Sequence, residues 1–202
     1  MQIESNTLPP NLTVNDLFFE PLEEILPSLH CRLPCREFPD EDWLRAGVLR
    51  VLEEVPSGRA FLQEHALRLD NIPKHSNYFE SLKSGRRGGL ALEANLAVAA
   101  RIDAAGIDRF ESLPGLDNYE VFAMDGHWHR GAAHDGRHSG AKIPTGHFYS
   151  LNLRTHSLRH LAASEYHKEH DMHALKRIKP GGLRPDIPKG KRVLIVYDKA
   201  GM

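Results

Sequence analysis

The sequence has little of what marks a secreted or membrane protein. It contains only two cysteines, Cys31 and Cys35, and one close pair does not make the disulfide framework of a small secreted domain. We interpret them as two free thiols in a loop. No stretch approaches the roughly 18 apolar residues that a membrane span needs, and the polar segment 1–10 lacks the apolar core of a signal peptide. We therefore expect a cytoplasmic protein without a membrane partner.

The sequence also lacks a large net charge, but its charges are unevenly distributed. The formal net charge is −1 at pH 7. Acidic residues outnumber basic ones in 1–117, and basic residues outnumber acidic ones in 118–202. A basic half favours an acidic partner such as nucleic acid. A chance imbalance on solvated faces is the alternative, and charge alone does not decide between the two.

Apolar residues recur at helical spacing through the first half of the chain. These patterns predict helices over 14–25, 40–55, 57–67 and 90–105, with a short helix near residue 76. Pro21 predicts a kink or break in the first helix. Asp40 and Ser76 are expected to cap two of the others. We therefore expect residues 1–112 to form a helical N-terminal region, for which DNA binding is one role.

The pattern changes near residues 112–118, where Pro114 and Gly115 indicate a turn or linker. Alternating or continuous apolar runs then predict strands over 119–124, 147–153, 158–162 and 193–197, and a helix over 169–178. The last strand is a short continuous apolar run, which is typical of a buried strand. The predicted fold class is α+β or α/β, with a sheet domain over 119–202.

Two aspartates directly follow predicted strands: Asp125 after 119–124, and Asp198 after 193–197. Active sites of open α/β sheets gather at the C-terminal ends of strands. Mg²⁺ is typically held by one or two protein carboxylates together with water and phosphate oxygens. We therefore expect Asp125 and Asp198 to share Mg²⁺ or Mn²⁺, with their carboxylates within roughly 8 Å of each other. The alternative is that each aspartate only caps a turn.

Several segments resemble insertion-sequence transposases of the DDE type. They are AMDGHWH (123–129) with 133–135, HFYSLNLRT (147–155), KRVLIVYDKAG (191–201) and, upstream, SGR (57–59) and YFESLKSGRR (78–87). The resemblance implies an RNase H-like catalytic domain, in which two aspartates and a later glutamate bind divalent metal and cut and rejoin DNA strands. Asp125 matches the first carboxylate and Asp198 the second. The implied partner is the DNA of transposon ends, and a homo-oligomer is a further expectation.

The glutamate that the resemblance requires would lie well downstream of Asp198. We therefore expect the 202-residue chain to be a truncated, N-terminal portion of such a protein. It would bind DNA with an affinity that falls with salt, and on its own it would cleave little DNA. The alternatives are a non-catalytic DNA-binding accessory fragment and an inert relic that folds poorly.

A basic cluster lies beside three glycines in the helical half. Lys83, Arg86 and Arg87 are flanked by glycines at 85, 88 and 89. They could grip a phosphate backbone through charge and exposed amides. A solvated turn between two helices explains the same pattern equally well. DNA binding by these three residues is therefore one of two open predictions.

Most of the 13 histidines lie between His127 and His173. His127 and His129 form an HxH pattern, and such clusters can bind zinc or another transition metal. The string 125–129 also resembles the first-strand metal motif of amidohydrolases, which gives a metal-dependent hydrolase as the rival enzyme. Its (β/α)₈ barrel needs about 200 or more residues, more than follow Asp125. The remaining interpretation is that most of these imidazoles face solvent or contact phosphates.

Overall fold

The chain is mixed α+β, with helices in its first half and one sheet in its second. A computed structural model describes residues 18–34, 37–53, 57–65, 74–134, 142–164, 173, 176, 187 and 190–197, and only the backbone of residues 75, 129–134 and 142–144. The chain divides into two compact units, Met1–Val98 and Ala99–Met202. A membrane-spanning helix is not found in the described part, since none combines sufficient length with sufficient hydrophobicity.

The helices follow the predicted apolar stripes. They are α1 Glu20–Ile25, α2 Asp40–Leu52, α3 Gly58–His65, α4 His75–Ser81 and α5 Gly85–Ala104. In the first unit, one cluster of buried residues joins α1, α2 and α5 through Leu22, Leu44 and Leu90. A second cluster contains Phe61 of α3 and Tyr78 of α4. Trp43 packs against both clusters, so the first unit has a continuous apolar core.

Two predicted helix caps are wrong. Pro39 and Lys74 precede α2 and α4, so Asp40 and Ser76 lie inside the helices rather than at their caps. The Asp40 carboxylate instead accepts a hydrogen bond from the backbone N–H of Leu33 at 3.0 Å. Pro21 lies in the first turn of α1, where a missing N–H leaves no hydrogen bond unmade. The predicted helical residues 14–17, 54–55 and 66–67 lie outside the described residues.

The glycine-rich segment is helical, not a turn. Helix α5 begins at Gly85, and Gly88 and Gly89 lie in its first two turns. At Gly89 the absent side chain has a packing reason, because a Cβ there would lie 3.0 Å from Sγ of Cys31. The turn that separates α4 from α5 is the preceding segment 82–84. Arg86 and Arg87 therefore lie on a helix, whereas Lys83 lies in the turn before it.

The second unit contains a mixed sheet of four strands in the order β3-β2-β1-β4. The strands are β1 Tyr119–His134, β2 Lys142–Asn152, β3 Leu158–Ser164 and β4 Arg192–Val196. Strands β1, β2 and β3 pair antiparallel, whereas β4 pairs parallel to β1. The predicted helix over 169–178 lies mostly outside the described residues, although His173 and Lys176 are helical.

The two faces of the sheet differ in burial. On one face Phe122, Met124 and Phe148 are at most 4% exposed. The prediction that β4 is a buried strand is wrong, because Leu194 and Val196 are 39% and 48% exposed. Within the described residues β4 pairs with β1 alone, and both side chains lie on the more open face. The continuous apolar run of β4 therefore reflects a strand that is only partly covered.

Two polar clusters hold one end of the sheet, at the hairpin between β2 and β3 and the start of β1. The Asp103 carboxylate of α5 accepts hydrogen bonds from the Ser157 hydroxyl at 2.6 Å, from Thr155, and from Arg159 at 2.8 Å. The buried Arg154 side chain donates to both oxygens of Asp108, at 2.8 and 2.6 Å. It also donates to the carbonyl oxygens of Tyr119, at 2.8 Å, and of Leu116. The predicted linker before β1 is thus held against the sheet by one arginine.

Candidate functional site

Asp125 lies inside β1 and not after the end of a strand, which corrects the sequence prediction. The strand continues to His134, and Asp125 pairs with Tyr149 of β2. Residues 126–134 lack an apolar alternation, but backbone hydrogen bonding to β2 extends the strand regardless of side chain. The Asp125 side chain is exposed, and one carboxylate oxygen accepts a hydrogen bond from the N–H of Gly126 at 2.8 Å. The other oxygen is a potential ligand for a cation.

Side chains that alternate along β1 place Asp125 on the open face of the sheet, which we call the Asp125 face. Paired residues of neighbouring strands point to the same face. This face comprises Val121, Ala123, Asp125 and His127 of β1, with Leu151, Tyr149 and His147 of β2, His160 and Leu158 of β3, and Leu194 and Val196 of β4. Its apolar surface is buried at Val121 and exposed at Leu158, Leu194 and Val196, and it also carries one carboxylate and several aromatic rings.

The described residues end just before the second predicted carboxylate. Asp198 lies outside them, so its proximity to Asp125 stays a prediction. Strand β4 itself is described through Val196, which pairs in parallel with Ala123 of β1. Both strands therefore run towards the same edge of the sheet.

A compact group of aromatic side chains lies beside Asp125. Nδ1 of His147 and Nε2 of His160 are 3.0 Å apart, a distance at which one ring N–H donates to the other ring nitrogen. The Tyr149 ring packs against both imidazoles, with centroid separations of 6.4 Å to His147 and 5.3 Å to His160. Burial lowers the pKa of His160, which favours its neutral form. The sheet thus holds two imidazoles in contact across β2 and β3.

The predicted HxH pattern falls on a strand of the sheet. His127 lies on the Asp125 face, and His129 follows it two residues later in β1. The side chain of His129 lies outside the described residues. Since β1 pairs antiparallel with β2, the sheet differs from the all-parallel barrel that an amidohydrolase-type hydrolase requires. This topology disfavours the rival enzyme.

A complete metal centre is not present among the described side chains. No three His, Cys, Asp or Glu residues within them lie close enough together to hold an ion. Asp198, which the sequence assigns to the same centre as Asp125, lies outside the described residues. Binding of Mg²⁺ or Mn²⁺ by these two aspartates therefore stays a prediction.

Two arginines of the basic cluster in the helical unit, Arg86 and Arg87, contact a buried carboxylate. Arg86 donates to both oxygens of Asp40, at 2.7 and 2.9 Å, and to the carbonyl oxygen of Cys31 at 2.8 Å. Arg87 is 6% exposed, donates to the carbonyl oxygen of Phe38 at 2.7 Å, and lies over the Phe38 ring. These contacts give both arginines a structural role in the first unit. DNA binding by them stays a prediction that these contacts do not favour.

Asp40 is the centre of that cluster. Burial disfavours its ionised form, but hydrogen bonds from Arg86 and from the N–H of Leu33, together with both guanidinium charges, hold the pKa of Asp40 below its ordinary value. Lys83 differs from the two arginines, because its side chain is 71% exposed and pairs with Glu80 on the surface. Of the three predicted phosphate contacts, only Lys83 is fully accessible to a nucleic acid.

Sequence reasoning missed the groups whose partners are distant in the chain. The pairing of Arg86 with Asp40 joins residues 46 positions apart. The contact between His147 and His160 depends on the register of β2 and β3, which shifts between Phe148 and Tyr149. The sequence signal for this contact was two histidines in adjacent predicted strands. The sequence did not indicate which residues of these two strands pair.

Comparison with known proteins gives no family assignment. The strand order, the exposed carboxylate and the paired imidazoles therefore have to be interpreted from their own geometry. Searches against protein-family models, curated proteins and solved structures returned no match to this chain.

Proposed function

We propose that this chain is part of a DNA transposase of the DDE type, with Asp125 and Asp198 as two of its metal-binding carboxylates. The observation that carries the proposal is the parallel register of β1 and β4. These strands pair from Tyr119 with Arg192 to Ala123 with Val196. Active sites of open sheets form beyond the C-terminal ends of parallel strands, and these strands run towards the same edge.

The register connects the two aspartates by position. Asp125 follows Ala123 by two residues. Asp198 follows Val196, the partner of Ala123, by two residues as well. If the parallel pairing extends by two residues, the aspartates oppose each other on neighbouring strands and share a face. Neighbouring strands lie about 4.8 Å apart, so both carboxylates could then bind one ion. The sequence resemblance assigned them independently of this register.

Strand topology supports the RNase H-like part of the proposal. Such a domain is expected to contain a mixed sheet. The order β3-β2-β1-β4, with β4 parallel to β1, agrees with that arrangement. An all-parallel sheet or a closed barrel would have argued against it.

The donor chemistry fits a hard divalent cation. Mg²⁺ and Mn²⁺ prefer oxygen ligands and are commonly bound through one or two carboxylates with water completing the shell. Asp125 offers an exposed carboxylate, one oxygen of which is bonded to the neighbouring N–H of Gly126. Asp198 would supply the second carboxylate. A bound ion would activate water and stabilise the leaving oxygen in phosphodiester chemistry.

Charge supports DNA as the partner. Basic residues exceed acidic ones in 118–202, the part of the chain that contains the sheet. Lysines and arginines that contact phosphates release condensed counterions, so the affinity for DNA should fall steeply as salt increases. On the described surface of the first unit, Lys83 is an exposed candidate for a phosphate contact.

DNA binding and cleavage test the proposal together. The chain would be titrated with duplex DNA from 50 to 200 mM salt, roughly the range over which phosphate contacts lose affinity, and incubated with supercoiled plasmid and Mn²⁺. We expect salt-dependent binding and negligible nicking, because two carboxylates hold one ion weakly and leave a second poorly fixed. Asp117→Asn, an exposed aspartate in the turn before β1, is the matched control for Asp125→Asn and Asp198→Asn.

The outcomes separate the competing functions. Nicking that disappears in both site variants but not in the control would uphold the carboxylate site and overturn the expectation of an inactive chain. Salt-dependent binding with no effect of either aspartate on Mn²⁺ affinity would favour a non-catalytic DNA-binding fragment. Binding that is absent or insensitive to salt would contradict the nucleic-acid partner.

A further inference from the structure

The imidazoles of His147 and His160 form a close pair that the proposed DNA chemistry does not use. They lie on adjacent strands, with Nδ1 of His147 and Nε2 of His160 3.0 Å apart. Their ring centroids are 5.2 Å apart. Either nitrogen of a neutral imidazole can bind a metal ion. The proton in this hydrogen bond would move to the far nitrogen of its own ring, so that both facing nitrogens present a lone pair to the ion.

These separations are close to those of two imidazoles on one zinc ion. With Zn–N bonds of about 2.05 Å and tetrahedral angles, the two ligand nitrogens lie about 3.3 Å apart and the ring centres about 5.2 Å apart. The observed centroids are 5.2 Å apart, so the ring centres need not move. Each ring would tilt by roughly 35°, half the difference between a straight and a tetrahedral angle, to point its nitrogen at the ion.

We propose that His147 and His160 form a two-histidine site for a transition-metal ion, for which Zn²⁺ is the best match. The site goes beyond the proposed DNA strand chemistry. Imidazole nitrogen is a preferred ligand of Zn²⁺, Ni²⁺ and Cu²⁺ and a poor one for Mg²⁺. Within the described residues no third His, Cys, Asp or Glu joins the pair, so the proposal assigns two protein ligands to the ion.

The surroundings hold the pair in position. The Tyr149 ring contacts both imidazoles, at a tilt of 26° to His147 and nearly edge-on to His160. Backbone pairing of β2 with β3 fixes the two Cα atoms, since Tyr149 pairs with His160 directly. A preorganised pair loses little side-chain entropy when an ion binds.

Site-resolved NMR tests the proposal, because histidines elsewhere in the chain also bind zinc. The imidazole C–H signals of the full 202-residue chain would be followed during Zn²⁺ addition. At one equivalent we expect the His147 and His160 signals to shift together, and those of His156 and His30 to remain. Mg²⁺ should leave the His147 and His160 signals unshifted, whereas a common shift with Mg²⁺ would contradict a nitrogen-selective site.

Three variants make the test decisive. His160→Asn should weaken zinc binding at His147 at least about tenfold, because a lost ligand costs no less than a lost supporting hydrogen bond. His147→Asn should weaken zinc binding at His160 to a similar extent, because the ion then loses the other of its two nitrogen ligands. His156→Asn is the matched control, because His156 is exposed on the same hairpin and its positive φ suits asparagine.

Two results would overturn the proposal. One is that the His147 signal does not move at one equivalent of Zn²⁺ in a chain whose circular dichroism shows it folded. The other is that His160→Asn leaves the zinc-induced shift of His147 unchanged. Loss in His160→Asn and in His147→Asn together with retention in His156→Asn supports the site. None of these readouts depends on DNA or on Asp125, so failure here is distinct from failure of the transposase proposal.

Discussion

The two units of the chain use their charged residues differently. In the helical unit the carboxylate of Asp40 is completely buried and is bound by Arg86 and Arg87. In the sheet unit Asp125 is exposed, and its described hydrogen bond is to the N–H of Gly126. Charged groups committed to tertiary contacts stabilise a fold, whereas accessible ones on a rigid sheet can bind ligands. The comparison agrees with the proposal that the Asp125 face carries the function.

The largest expected effect comes from breaking the Asp40 cluster. Asp40→Asn removes the negative charge that faces Arg87, whose side chain is 7% exposed. Removing one partner of a buried ion pair typically costs about 3–5 kcal/mol, because the remaining charge is left uncompensated. Urea unfolding should show a loss of that size, while Glu64→Gln, an exposed acid of α3, should have almost no effect. A loss below about 1 kcal/mol would mean that Asp40 is not the structural centre of the helical unit.

The second-largest loss of stability is expected at Arg154, an arginine of the sheet unit that has a structural role like that of Arg86 and Arg87. Arg154 donates to Asp108 and to two backbone carbonyls, and its side chain is 4% exposed. Lysine at this position cannot reach these acceptors together, so Arg154→Lys should cost about 2 kcal/mol. The exposed Arg109→Lys serves as the control. Equal effects of the two variants would show that Arg154 does not hold the linker.

Acid should weaken the chain through its bound carboxylates. Burial acts to raise the pKa values of Asp40 and Asp103, but hydrogen bonds to both carboxylates outweigh burial. Both pKa values are therefore lowered. A carboxyl group whose pKa is lowered in the folded state contributes its full stabilisation when the pH is above its ordinary pKa of about 3.9. That stabilisation is lost as the pH falls through the lowered pKa. Asp40→Asn should therefore flatten the dependence of unfolding free energy on pH below about 4. Parallel curves for both proteins would contradict the assignment.

The smallest expected change in stability is at Asp125. Because its side chain is exposed and lies on the open face, Asp125→Asn should change the unfolding free energy by no more than about 0.5 kcal/mol. Urea unfolding beside Asp40→Asn measures this difference directly. A loss comparable with that of Asp40→Asn would make Asp125 a structural residue and remove the contrast between the two units.

Local pattern predicted the elements better than their ends. The stripes of α2 and α5 and the alternation of β2 and β3 follow from side-chain periodicity, so these elements could be predicted. Strand β1 extends well past the predicted Met124, because the segment after it pairs through its backbone and carries no apolar alternation. The glycines beside Arg86 indicated a turn, but α5 begins at Gly85 because tertiary contacts outweigh the helix-breaking tendency of glycine.

The candidate site was predictable only in part. Asp125 could be singled out because a carboxylate in a strand pattern is chemically informative, although its place within the strand was wrong. The partners of Arg86 and His160 could not be predicted, because those contacts depend on helix packing and on a shifted strand register. Whether Asp198 opposes Asp125 stays a prediction that rests on the register of β1 and β4.

Paramagnetic broadening by Mn²⁺ tests most directly whether Asp125 and Asp198 share one ion. Backbone amide signals would be recorded during addition of less than one equivalent of Mn²⁺. We predict that the amides next to Asp125 and those next to Asp198 broaden together, that Asp125→Asn and Asp198→Asn each abolish both effects, and that Asp117→Asn abolishes neither. Broadening at only one aspartate, or broadening that survives either substitution, would contradict the shared site.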